Sequence, residues 1–89
     1  MKHPYLEVTY RRGKALAAYY YLPRATRATS VRTRRVDPGL IIDYSAKGEP
    51  LGIEITAPKQ LTVTALNRVL RDLGCAPIRR ADLAPLRAA

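Results

Sequence analysis

The stretch Asp37-Pro38-Gly39-Leu40-Ile41-Ile42-Asp43-Tyr44-Ser45-Ala46-Lys47-Gly48-Glu49-Pro50-Leu51-Gly52-Ile53-Glu54-Ile55 decides the fold, because it joins two turn signals to two alternating apolar runs. Proline at the second turn position presets φ and glycine at the third accepts positive φ, so Asp37-Pro38-Gly39-Leu40 reads as a type II turn. A third strand, residues 30–36, therefore folds back on a fourth, residues 40–44, the most apolar run and the one expected at the centre of its sheet. With Lys47 and Gly48 as a two-residue turn, Ser45 faces Pro50, Asp43 faces Gly52 and Ile41 faces Glu54. Leu40, Ile42 and Tyr44 then share a buried face with Leu51, Ile53 and Ile55. Pro50 has no N–H to donate, so its end of the fifth strand is expected to be an edge or a bulge.

Upstream, Tyr5-Leu6-Glu7-Val8-Thr9-Tyr10 alternates with period two and makes a first strand. Arg11-Arg12-Gly13-Lys14 is a tight turn, and residues 15–22, with Tyr19, Tyr20 and Tyr21, form the second strand of a hairpin. Residues 24–30 are polar and read as a loop. Downstream of Pro58 the period changes to 3.6, with Leu66, Val69, Leu70 and Leu73 on one stripe that begins at Leu61 or Val63. That is a helix over residues 60–74, capped by Thr62 or Thr64 and ended by Gly74. Residues 75–89 form an arm with Pro77 and Pro85, able to lie on this domain or on a neighbour. The expected fold is α+β: a single domain over residues 1–89, with a five-stranded antiparallel meander in 5–55 and one C-terminal helix packed on one face.

Eighty-nine residues, 47% of them apolar and 26% charged, suit one small globular domain, and a multidomain enzyme is not expected. A core of this size leaves modest stability, which a homodimer interface would supplement. Cys75 is the only cysteine, so no intrachain disulfide forms and a reducing cytoplasm is the expected setting. There is no apolar run of signal-peptide or membrane-spanning length, and export and a membrane location are not expected.

The net charge of +9 is unevenly spread. Residues 1–35 hold nine basic side chains against the single acid Glu7, the next 39 residues are close to neutral, and the tail is weakly basic. Arg11, Arg12, Arg24, Arg27, Arg32, Arg34 and Arg35 are thus candidates for a nucleic-acid-binding face, with a solvated basic surface as the plain alternative. Tyr19 and Tyr21 alternate onto one face and Tyr20 onto the other, so at most a pair of rings is available for base stacking. No helix-turn-helix, zinc finger or RNA-recognition motif is present.

Catalytic and metal-binding chemistry find little support. His3 is the only histidine and Cys75 the only cysteine, which supplies neither a nucleophile–base pair nor a tetrahedral metal site. The position of Cys75 just after the helix-ending Gly74 places it at the dipole's negative end, where its pKa is raised. Asp43 and Glu54 lie diagonally on the face away from the core and form the one carboxylate pair worth weighing as acid–base or cation-binding groups. Arg32 and Arg34 on the neighbouring third strand, with Arg34 opposite Asp43, would explain both as a cross-strand ion-pair ladder. No cofactor or metal and no catalytic residue is assigned.

Gly39-Leu40-Ile41-Ile42-Asp43-Tyr44, then Gly48, then Leu51-Gly52-Ile53-Glu54-Ile55 closely resembles the Asp-Tyr, Gly, Gly-Ile-Glu-Ile signature of a small bacterial family, number twenty-two eighty-three among the domains of unknown function. Its Tyr and Ala-Leu-Tyr-type strand is similar to Tyr10 and residues 15–22, so the resemblance covers about residues 5–70. The signature residues here are Asp43, Tyr44, Gly48, Gly52, Ile53 and Glu54. Family members often carry an acid before the Ala-Leu, where this chain has Lys14. The family has no assigned reaction; some members resemble the smaller partner of toxin–antitoxin gene pairs, which implies a protein-binding module.

The expected function is therefore non-catalytic: an interaction module, antitoxin-like, acting on itself as a homodimer and on a partner protein through a sheet edge or the basic face. The alternative is direct nucleic-acid binding through the arginines, and an enzyme using Asp43 and Glu54 is a third reading.

Overall fold

The computed structural model describes residues 3–23 and 28–87. Five strands, β1 (Tyr5–Arg11), β2 (Lys14–Tyr21), β3 (Arg32–Asp37), β4 (Leu40–Tyr44) and β5 (Pro50–Ile55), are followed by a 3-10 turn η1 (Pro58–Gln60), a helix α1 (Val63–Asp72) and a longer 3-10 segment η2 (Arg80–Arg87). All strand pairs are antiparallel, in the order β1-β2-β5-β4-β3. The sheet is therefore not a sequential meander. The β1–β2 hairpin docks through β2 onto β5, and β5, not β4, is the central strand. A strand bonded on both sides leaves no unpaired ladder groups, and β5, with Leu51, Gly52, Ile53 and Ile55 all buried, is the strand whose residues suit that place.

The register joining β4 to β5 follows parity as expected: Ile41 opposes Glu54, Ile42 opposes Ile53 and Asp43 opposes Gly52. The turn differs. Ser45 N–H donates to Glu49 O and Gly48 N–H to Ser45 O, both at 2.9 Å, with Gly48 at φ +82°. This is a three-residue loop with a left-handed glycine instead of a two-residue turn. The buried Ser45 stabilises it, its Oγ accepting from the Lys47 and Glu49 amides at 3.2 Å each. The register slips between Asp43 and Tyr44, so Tyr44, not Ser45, opposes Pro50. The bulge anticipated at Pro50 is thus present, but inside the sheet and not at an edge.

A second slip lies between Arg35 and Asp37. One extra residue on β3 moves every earlier side chain to the opposite face. Thr33 consequently opposes Asp43, while Arg34 opposes Ile42 and Arg32 opposes Tyr44. The ion-pair ladder from Arg32 and Arg34 to Asp43 and Glu54 does not form.

The core cluster joins Ala18, Tyr20, Leu22, Leu40, Ile42, Tyr44, Ile53 and Ile55 of the sheet region to Leu61, to Leu66, Val69 and Leu70 of α1, and to Ile78, Leu83 and Leu86 beyond it. Thr62 caps α1, its Oγ1 accepting from Ala65 N–H at 3.1 Å. At the other end Cys75 N–H bonds Leu70 O and Gly74 N–H bonds Arg71 O, with Gly74 at φ +73°. Those two bonds are the Schellman pattern. The helix is not the last element: the arm returns to its own domain. Asn67 grips Ile78 by both its amide and its carbonyl, at 2.8 and 3.1 Å, and Tyr10 Oη donates to Pro85 O at 2.6 Å. Leu86 is fully buried, a burial that favours the docked arm by about 2 kcal/mol.

Candidate functional site

Residues of the parity opposite to Ile53 and Ile42 form the other face of the sheet. One cross-strand row runs Tyr5, Tyr21, Gly52, Asp43, Thr33, and the next runs Glu7, Tyr19, Glu54, Ile41, Arg35. Tyr5, Glu7, Thr33, Arg35 and Glu54 are exposed and Tyr19, Tyr21, Ile41 and Asp43 half-buried. These two rows therefore carry three tyrosines and three carboxylates against one arginine.

Gly52 organises it. A Cβ at this position would sit 2.2 Å from Tyr19 Cε1 and 2.5 Å from its Cζ and Oη, so the ring lies directly on the β5 backbone. Lying there, it spans the central strand, and its hydroxyl donates to Asp43 Oδ2 on β4 at 2.6 Å. The hydroxyl of Tyr21 donates to Glu7 Oε1 at 3.2 Å, and burial, then the bond to Glu7, hold its phenol above its ordinary pKa. Tyr5 and Tyr21 stack with centroids 4.4 Å apart, and Tyr19 and Tyr21 meet tilted at 4.6 Å. Aromatic pairs at such separations contribute about 0.5–1.5 kcal/mol each beyond area burial.

Of the signature residues, Asp43, Gly52 and Glu54 fall on this face, with Asp43 and Gly52 directly paired. Tyr44 and Ile53 point into the core, and Gly48 sits in the loop. Asp43 and Glu54 are diagonal neighbours as parity required, but Tyr19 occupies Asp43 Oδ2. Sequence parity found Tyr19 and Tyr21 on one face, and missed the contact of the Tyr19 ring with Gly52 because that contact requires β2 beside β5.

Residues 17–57 match a family model. The model is that of DUF2283, described as a protein of unknown function. The match bears out the resemblance drawn from Asp43-Tyr44 and Gly52-Ile53-Glu54-Ile55, over a shorter stretch than residues 5–70. The matched segment contains β3, β4 and β5 and most of β2, and so contains Tyr19, Asp43 and Gly52. No curated protein and no solved structure matches the chain.

Among the described residues the candidate arginines do not gather into one face. Arg11 and Arg12 lie at the β1–β2 turn and Arg32, Arg34 and Arg35 on β3, at opposite edges of the sheet. Four strand spacings separate those edges, about 19 Å. Arg32 and Arg34 point to the side of Tyr44 and Arg35 to the side of Ile41. Arg24 and Arg27 lie outside the described residues. Burial pushes the Cys75 thiol up, the direction anticipated. Among the described residues no helix is long and apolar enough to cross a membrane, which does not bear on strands.

Proposed function

We propose that this protein is a non-catalytic interaction module that binds a partner protein through the sheet face bearing Tyr5, Tyr19 and Tyr21. Leu61, α1 and η2 contribute their buried residues to the cluster that holds Ile42, Ile53 and Ile55, on the side of the sheet opposite the tyrosines. The observation that carries the proposal is the contact of these three rings with one another, Tyr19 lying on Gly52, with Tyr5 still 49% exposed. Exposed aromatic clusters held by neighbouring hydrogen bonds supply contact area with little ordering cost, which is why tyrosine is enriched at interfaces. A second copy of the chain is one such partner. An antitoxin-like role, implied by the family resemblance, and a cytoplasmic setting, expected from the lone free cysteine, accord with this reading.

The pooled-arginine reading of nucleic-acid binding is less well supported, since Arg11 and Arg12 stand across the sheet from β3. Affinity capture from the native host, comparing wild type with Tyr5→Ser/Tyr21→Ser and with Arg11→Gln/Arg12→Gln, separates the two. The proposal expects the tyrosine pair to lose the partner and the arginine pair to keep it. Loss only with the arginine pair, together with salt-dependent binding of single-stranded RNA in fluorescence anisotropy, would reverse the assignment.

A further inference from the structure

The edge strand β3 gathers two cations at one ring. The guanidinium carbon of Arg32 lies 5.1 Å from the centroid of Tyr44 and that of Arg34 lies 6.0 Å from it. Arg34 Nη2 donates to Tyr44 Oη at 3.1 Å, which holds its side chain while using one of five N–H donors. Like charges brought together oppose each other, and the ring face offsets only part of that cost. Among the described residues neither arginine has a carboxylate within ion-pairing range; the one ion pair there is Arg79 with Asp82. Tyr44 is 8% exposed, so its ring is a floor and not a platform on which a base could stack. The site lacks a counter-charge, and the net charge of +9 raises the local concentration of anions around it.

We propose that Arg32 and Arg34, set over Tyr44, form a binding site for a phosphate group carried on an ester. Two guanidinium forks match the several oxygens of a phosphate group, whereas a carboxylate satisfies one fork. The site rests on different residues from the tyrosine face and stands or falls apart from it.

The test is an NMR titration of the full chain, ¹⁵N-labelled, with inorganic phosphate against sodium chloride at matched ionic strength, read at the arginine Nε–H and β3 amide signals. Saturable shifts confined to Arg32, Arg34 and Tyr44 are expected. Arg32→Gln and Arg34→Gln should each weaken binding tenfold or more, and Arg11→Gln/Arg12→Gln should leave it within twofold. Arg32 makes no side-chain hydrogen bond among the described residues, so its variant keeps the test decisive if Arg34→Gln perturbs the fold. Adenosine monophosphate and a ten-residue oligothymidylate distinguish the source. Equal affinity per phosphate points to a free phosphate ester, and tighter, steeply salt-dependent oligonucleotide binding points to a nucleic-acid backbone. Non-saturating shifts spread equally over Arg11, Arg12 and Arg71, or unchanged affinity in both glutamine variants, would overturn the proposal.

Discussion

Gly52→Ala is the substitution whose outcome tests the construction of the tyrosine face most sharply. The new methyl would meet Tyr19 Cε1 at 2.2 Å, far inside contact distance, and the obstacle is a side-chain ring and not backbone. The ring is expected to swing off β5, which removes the 2.6 Å bond to Asp43 and the contact with Tyr21. A hydrogen bond to a charged acceptor contributes about 1.5–3 kcal/mol, to be taken at the low end for the half-buried Asp43, and the ring contact adds about 0.5. Against this, alanine in place of a strand glycine restricts the unfolded chain and recovers about 0.4–1 kcal/mol. The net is a loss of about 1–2 kcal/mol, or roughly 4–16 °C in Tm for a domain of this size. Urea unfolding followed by far-ultraviolet circular dichroism measures it. The decisive arm is the same change made in Tyr19→Ala, where no ring remains to displace: there Gly52→Ala should be neutral or stabilising. An equal loss in both backgrounds would refute the reasoning, because Gly52 would then be required by something other than Tyr19.

Three further outcomes are expected. Asn67→Ala removes both bonds to Ile78 and should cost about 1–2 kcal/mol while raising hydrogen exchange at the Ile78 amide and protease cleavage in η2 well before global unfolding. Thr62→Ala should cost about 1 kcal/mol in thermal unfolding, through the loss of the bond from Ala65 N–H. Tyr20 and Tyr21 both have raised phenol pKa values, burial being the main cause in each. The folded state thus holds those protons more tightly than the unfolded chain. Their contribution is fully present below pH about 10 and is lost as pH rises through the folded values. Tyr20→Phe should flatten the alkaline fall in stability, and Glu7→Gln should lower the Tyr21 midpoint seen by ultraviolet absorbance.

Local chemistry was legible in the residues. Gly39 at φ +86°, a threonine cap at Thr62 or Thr64, of which Thr62 is used, Gly74 as terminator and the Ile41–Glu54 and Asp43–Gly52 pairs all follow from turn, capping and parity rules acting over a few residues. Strand order was not legible, since β2 meets β5 across about thirty residues of chain and alternation in each strand is the same whichever neighbour it takes. The bulge on β3 was equally hidden: no glycine or proline marks Val36, yet that one residue moves Arg34 from Asp43 to Tyr44. The tyrosine face depended on the first of these and the Arg32–Arg34 pair on the second. Only their residue types, not their meetings, were open to reading along the chain.

Whether the Tyr5–Tyr19–Tyr21 face meets a partner protein is settled by placing a photoreactive benzoylphenylalanine at Thr33 on that face, at Tyr5, and at Arg68 on α1 as control, then irradiating the native host. The account predicts discrete protein adducts, to another protein or to a second copy, from Thr33 and Tyr5 and none from Arg68. Adducts from Arg68 alone, or from none of the three positions, would contradict it.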